Sequence, residues 1–128
     1  MTLLQVAAVY VAANLLILVW LAIRVVSHRI KGRISMGDGG SEELAVAIRV
    51  HGNATEYVPG ALVGLVLIAL LSAPVWMIHA IGGTLTLARL LHPIGMSGGP
   101  LIFRQIAIML SWLVLISLAV ALLYLTFS

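Results

Sequence analysis

The stretch Leu3–Ile23, LLQVAAVYVAANLLILVWLAI, runs for 21 residues without a charge. As an α-helix it would be about 30 Å long, the thickness of a bilayer's hydrocarbon core, and that match decides the fold class. The rest of the chain agrees with a lipid solvent. Hydrophobic residues make up 62% of the 128 and charged residues 9%, against about 25% charged in a soluble domain, and mean hydropathy is +1.20. At ~20 residues per span there is room for four helices with short connections, and no separate soluble domain is left over.

Arg24, Arg29, Lys31 and Arg33 follow the first apolar run, and no basic segment precedes it, so the run reads as a membrane helix and not as a cleaved signal peptide. The net charge of +3 is spread along the chain, without the basic, aromatic-laced face that nucleic-acid binding requires. It acts as a topology signal. Cysteine is absent, which excludes disulfides, thiolate metal sites and a cysteine nucleophile. Any thiol chemistry must use a thiol brought from outside.

Four helices are expected, over about residues 3–26, 42–71, 75–92 and 101–127. Ser41 can cap the second, with Glu42 and Glu43 set against the positive end of its dipole. Pro59 should kink that helix. Ser72-Ala73-Pro74 is short enough to force an antiparallel return. Pro93 and the Gly95–Pro100 run should end helix three, and Pro100 suits the start of helix four. The positive-inside rule puts loops one and three in the cytoplasm and both chain ends on the other side.

Against this apolar background, helix two carries Arg49, Asn53 and Glu56 within roughly 60° of one another on the helical wheel. A polar stripe that deep is costly and usually functional. Arg89 and His92, three apart on helix three, share a face, and Arg104 lies in the first turn of helix four. All six fall in the cytoplasmic half, where one polar pocket can contain them. Three arginines there oppose one deep carboxylate, Glu56, so an anionic guest would settle the charge. Arg104 sits where the helix dipole disfavours a cation, and a bound anion reverses that penalty. A thiol held there would be pushed toward its thiolate.

Each residue has a plainer reading. Arg49 can snorkel to the interface; Glu56 can form a structural ion pair with Arg49 or Arg89; Arg89 and His92 are favoured at a helix C-terminus; Arg104 can anchor an interface. His51 points about 160° from Asn53 and is left out of the pocket, and His79 reads as a packing or interface residue near the far side. No metal site is expected, because the histidines are scattered and neither HExxH nor Glu-x-x-His occurs. Gly37-Asp-Gly-Gly lacks the Gly-Lys-Ser/Thr ending of a phosphate loop and reads as a turn. Gly60 with Gly64, and Gly82-Gly83, offer close helix approach. Trp76, Trp112 and Tyr124 read as belt or packing residues.

The run Arg49-Val-His-Gly-Asn53-Ala-Thr-Glu56-Tyr-Val-Pro59, then Ala88-Arg-Leu-Leu-His92, then an arginine early in helix four, resembles the MAPEG family, membrane-associated proteins in eicosanoid and glutathione metabolism. Gly37-Asp-Gly-Gly and the His-Gly-Asn variant look most like its small bacterial inner-membrane branch. The likeness covers nearly the whole chain and three separated motifs in order.

The resemblance implies an all-α integral membrane four-helix bundle assembled as a homotrimer, with glutathione at subunit interfaces near the cytoplasmic side. Carried over by position, Arg104 is the catalytic arginine that activates the thiol, and Arg49, Asn53, Glu56, Arg89 and His92 bind the cofactor. In several animal members an arginine precedes the motif asparagine; Gly52 stands here, and tyrosines that often line the site in helices three and four are missing. The cofactor expected is therefore glutathione or another small anionic thiol. The activity implied is a glutathione-dependent transferase or peroxidase, acting on hydrophobic electrophiles or lipid hydroperoxides that enter from the membrane lipids. Two other classes stay open: a non-catalytic lipid- or ligand-binding member, and a small proton-coupled exporter, although exporters of this size carry their carboxylate in helix one, where this chain has none.

Overall fold

The computed structural model describes residues 1–128 and holds four helices and no strand: α1 (Leu3–Gly32), α2 (Glu42–Leu70), α3 (Val75–Met96) and α4 (Leu101–Phe127). α1 opens on a capping box, in which the Gln5 backbone N–H donates to Thr2 Oγ1 at 3.2 Å and the Thr2 N–H donates to Gln5 Oε1 at 2.7 Å. It continues past residue 26, where its apolar residues thin out, because polar side chains interrupt burial and not the backbone ladder. Arg33 stops it in the left-handed conformation, and Arg29 Nη1 donates to the Gly37 carbonyl at 2.8 Å to pin the turn that follows. Ser41 caps α2 by accepting from the Leu44 N–H at 3.3 Å.

Neither proline inside a helix ends it. Pro59 lies within α2, and α3 runs through Pro93 to Met96 where the sequence reading stops it at residue 92. Proline loses only its own N–H, and the turn beyond Pro93 is closed by bonds it can still accept or bypass: Ser97 N–H to Pro93 O at 2.9 Å and Gly99 N–H to Ile94 O at 3.0 Å.

α1 packs on α2 and α3, α4 packs on the same two, α2 meets α3 across the middle, and α1 does not touch α4. The bundle is thus a rhombus with α2 and α3 on its short diagonal, and core residues such as Val50, Val58, Leu65, Ile68, Ile78 and Leu85 come from that diagonal. α1 and α4 occupy the outer corners and present Leu16, Ile23, Met109, Ile116 and Val120 outward. Close approach relies on one glycine of each small pair. A Cβ on Gly82 would run into the Tyr10 ring, and one on Gly64 would meet Leu118 Cδ1 at 3.0 Å, whereas Gly60 and Gly83 face open space.

Three helices, α1, α2 and α4, are long and apolar enough to cross a membrane. The sequence reading expected four. α3 falls short because His79, Arg89 and His92 dilute its hydropathy, and it is the helix whose polar groups are taken up by its neighbours: Thr86 by α1, Arg89 by α2 and α4.

Candidate functional site

The polar stripe of α2 splits between two environments. Asn53 turns inward and its Oδ1 accepts from Arg89 Nη1 at 2.9 Å. Arg49 and Glu56 turn outward and pair with each other, Nη1 to Oε1 at 3.3 Å, with side chains 63% and 52% exposed on the single chain. A 60° arc straddling the edge of the buried face produces this division. Of the two ion pairs open to Glu56, the one formed is with Arg49.

Arg89 is the centre of the buried set. It is only 1% exposed, and its Nη2 donates to Ser111 Oγ, which in turn donates to the Ala107 carbonyl at 2.7 Å. Its guanidinium lies 5.8 Å from the centroid of Tyr57, within the range of a cation–π contact. Nε has no partner. Arg89 therefore ties α2, α3 and α4 together, with neutral acceptors and an aromatic face in place of a counter-ion. In this arrangement its head group is committed to the protein.

His92, 3% exposed, lies one turn further on, where Arg89, Arg104 and Arg49 all act on it electrostatically. It makes no hydrogen bond. Arg104 is exposed and unpaired, and α4 begins at Pro100 without a side-chain cap or an acidic residue in its first turn. Gly95 sets that turn in place: a Cβ there would strike the Arg104 backbone nitrogen. The end of α3 and the start of α4 thus lie directly against each other.

The six residues singled out in the sequence converge on the end of the bundle formed by loops one and three, yet they do not line one cavity within the chain. Asn53 and Arg89 are bonded to each other inside, His92 is buried beside them, and Arg49, Glu56 and Arg104 lie on the outside. The sequence reading missed Ser111, two turns after Arg104 on a largely apolar helix, and Tyr57, whose hydroxyl accepts from Trp112 Nε1 at 3.1 Å. A serine in such a run is a weak signal, since its hydroxyl can satisfy itself on the preceding turn. Trp112, expected as a belt or packing residue, braces the tyrosine that faces Arg89.

The MAPEG family model matches residues 7–124. The chain is 35% identical over 117 residues to "Inner membrane protein YecN" of Escherichia coli, a match covering 91% of this chain and 89% of the relative. A protein of the same name from a second Escherichia coli strain matches equally. No solved structure matches.

Proposed function

We propose that this chain, which belongs to the MAPEG family, is an inner-membrane, thiol-dependent transferase or peroxidase whose reacting site forms where copies of the chain meet. The observation that carries this reading is the outward-facing Arg49–Glu56 pair. Glu56 lies about 20 Å along α2 from its first residue, deep within a ~30 Å hydrocarbon layer. An ion pair exposed to lipid at that depth is expensive, so protein and a polar ligand are the fitting cover. A homotrimer, with loops one and three cytoplasmic, supplies both.

In that assembly the thiol is glutathione or another small anionic thiol. Arg104 and the uncapped N-terminus of α4 stabilise its sulfur as thiolate, Glu56 takes an ammonium group, and Arg49 takes a carboxylate. His92 closes the site from within, and the Asn53–Arg89 bond holds α2 and α3 at the spacing the ligand needs. A hydrophobic electrophile or lipid hydroperoxide arrives from the bilayer. Replacing Arg104 with alanine should abolish conjugation of glutathione to 1-chloro-2,4-dinitrobenzene while leaving the trimer intact on cross-linking. Unchanged turnover would sink this mechanism.

One observation favours a second reading, a ligand-binding member without catalysis: Asn53 and Arg89 are occupied by each other, which leaves fewer groups for a tripeptide. Glutathione would then raise thermal stability in the wild-type protein with no turnover of any electrophile.

A further inference from the structure

A cavity of about 300 Å³ opens at the same end of the bundle, between α1, the first turns of α2, and the end of α3 with the start of loop three. None of the six residues discussed above lines it. Its walls carry Arg24 and His28 from α1, Glu42 and Glu43 from α2, and Ser97 and Gly98 from loop three, over a floor of Val46 and Met96.

Charges of both signs face this space without meeting. The only ion pair in the chain is Arg49–Glu56, so neither Arg24 nor His28 reaches either glutamate. Arg24 is fixed where it is: Nη2 donates to Ser97 Oγ at 3.0 Å, and the guanidinium lies 5.4 Å from the Trp20 ring centroid. His28, four residues on, shares its face of α1. On the opposite wall, Glu43 Oε2 accepts from Ser41 Oγ at 3.3 Å, and both carboxylates are held near the positive end of α2. Arg24 on the cation wall and Glu43 on the anion wall are each braced by the protein, with the cavity between them.

We infer that this cavity binds a zwitterion with a primary ammonium and a phosphate set two carbons apart, the phosphoethanolamine group. The phosphate lies against Arg24 and His28, which offer N–H donors of the kind phosphate oxygens prefer. The ammonium lies between Glu42 and Glu43, and its methylenes cover Val46 and Met96. A guest of a single sign meets one wall only, whereas a zwitterion meets both. The cavity sits at the end of apolar helices where a bilayer presents its head groups, so an ethanolamine phospholipid is one source of the ligand and free phosphoethanolamine is the other.

The test is thermal unfolding of the detergent-solubilised full-length protein, titrated separately with phosphatidylethanolamine, phosphatidylcholine and phosphatidylglycerol in mixed micelles and with soluble phosphoethanolamine. The ethanolamine lipid should bind about tenfold more tightly than the other two, the difference expected for losing a charge-assisted hydrogen bond or a whole ammonium. The E42Q/E43Q protein should reverse that order in favour of phosphatidylglycerol, because only the cation wall remains. Arg24→Gln should weaken both lipids. A response to the lipid that exceeds the response to soluble phosphoethanolamine identifies a head-group site; a response to the soluble compound alone identifies a free zwitterion, and both support the assigned chemistry. Equal stabilisation by all three lipids with none by phosphoethanolamine, or an ethanolamine preference that survives E42Q/E43Q, overturns it. None of these residues belongs to the proposed thiol site, so loss of glutathione turnover and loss of head-group preference are separable results.

Discussion

Replacing Asn53 with alanine removes one of the two hydrogen-bond acceptors that the buried Arg89 guanidinium has in the protein. Ser111 then carries the charge alone, Nε being unpartnered already. A hydrogen bond to a charged group contributes about 1.5–3 kcal/mol, and a buried charge deprived of a partner costs more than the bond itself, so Asn53→Ala should destabilise by about 3 kcal/mol. Arg89→Met should cost less, about 1–2 kcal/mol: Asn53 loses its donor, but Ser111 keeps its bond to the Ala107 carbonyl and the uncompensated charge is gone. The double variant should then resemble Arg89→Met, giving a coupling of about 3 kcal/mol, the whole of the Asn53→Ala loss, or on the order of a hundredfold in an unfolding equilibrium. Trp112, bonded to the Tyr57 that faces Arg89, supplies a fluorescence reporter for denaturant titration in micelles. Additive losses in the double variant would refute the buried-tie account of Arg89. A loss of glutathione affinity in Arg89→Met larger than its loss of stability would return that residue to the ligand.

One glycine pair and a single glycine give sharper steric tests. Gly82→Ala should lower the unfolding midpoint by an amount corresponding to about 1–3 kcal/mol, because its Cβ would enter the Tyr10 ring. Gly83→Ala, facing open space one residue later, should be neutral or stabilising by up to about 1 kcal/mol through helix propensity; equal effects would contradict the α1–α3 contact. Gly95→Ala should push the first turn of α4 away from α3 and reduce thiol-dependent turnover more than stability, since the new Cβ meets the backbone of Arg104 itself. Turnover and unfolding midpoint measured on one preparation check this, and full activity in a stable Gly95→Ala protein would count against Arg104 needing that position.

Helix number, order and most helix ends were legible because they follow from local rules. Uncharged runs matched to bilayer thickness mark the helices, Ser41 with Glu42 and Glu43 marks a start, and Ser72-Ala-Pro forces a return. The end of α1 was misplaced because hydropathy marks where lipid stops, and a helix can continue into water. Pro93 was misread as a terminator because the carbonyls around it find donors in loop three, a tertiary fact. The residue types of the site were legible and their partition was not. Positions 49, 53 and 56 share one arc, and whether its Asn53 end faces α3 while Arg49 and Glu56 face outward depends on how α2 is rotated in the bundle, which a sequence period does not specify.

Two arginines at this end of the bundle show how differently a membrane protein can hold a cation. Arg89 is enclosed by its own chain and satisfied by an amide, a hydroxyl and an aromatic face, so its neighbours are fixed before any ligand arrives. Arg49 has a full counter-charge in Glu56 and yet remains open to the outside, where a bilayer offers neither water nor hydrogen bonds. The first arrangement is built within one chain, with only Nε left unpartnered; the second calls for something polar laid over it in a membrane. Desolvation by a second copy of the chain would strengthen the Arg49–Glu56 attraction, and a zwitterionic ligand can divide the pair by offering each member its own partner. Ligand binding and subunit association then draw on the same two side chains, so whatever factor association imposes on ligand affinity, the ligand imposes on association in turn.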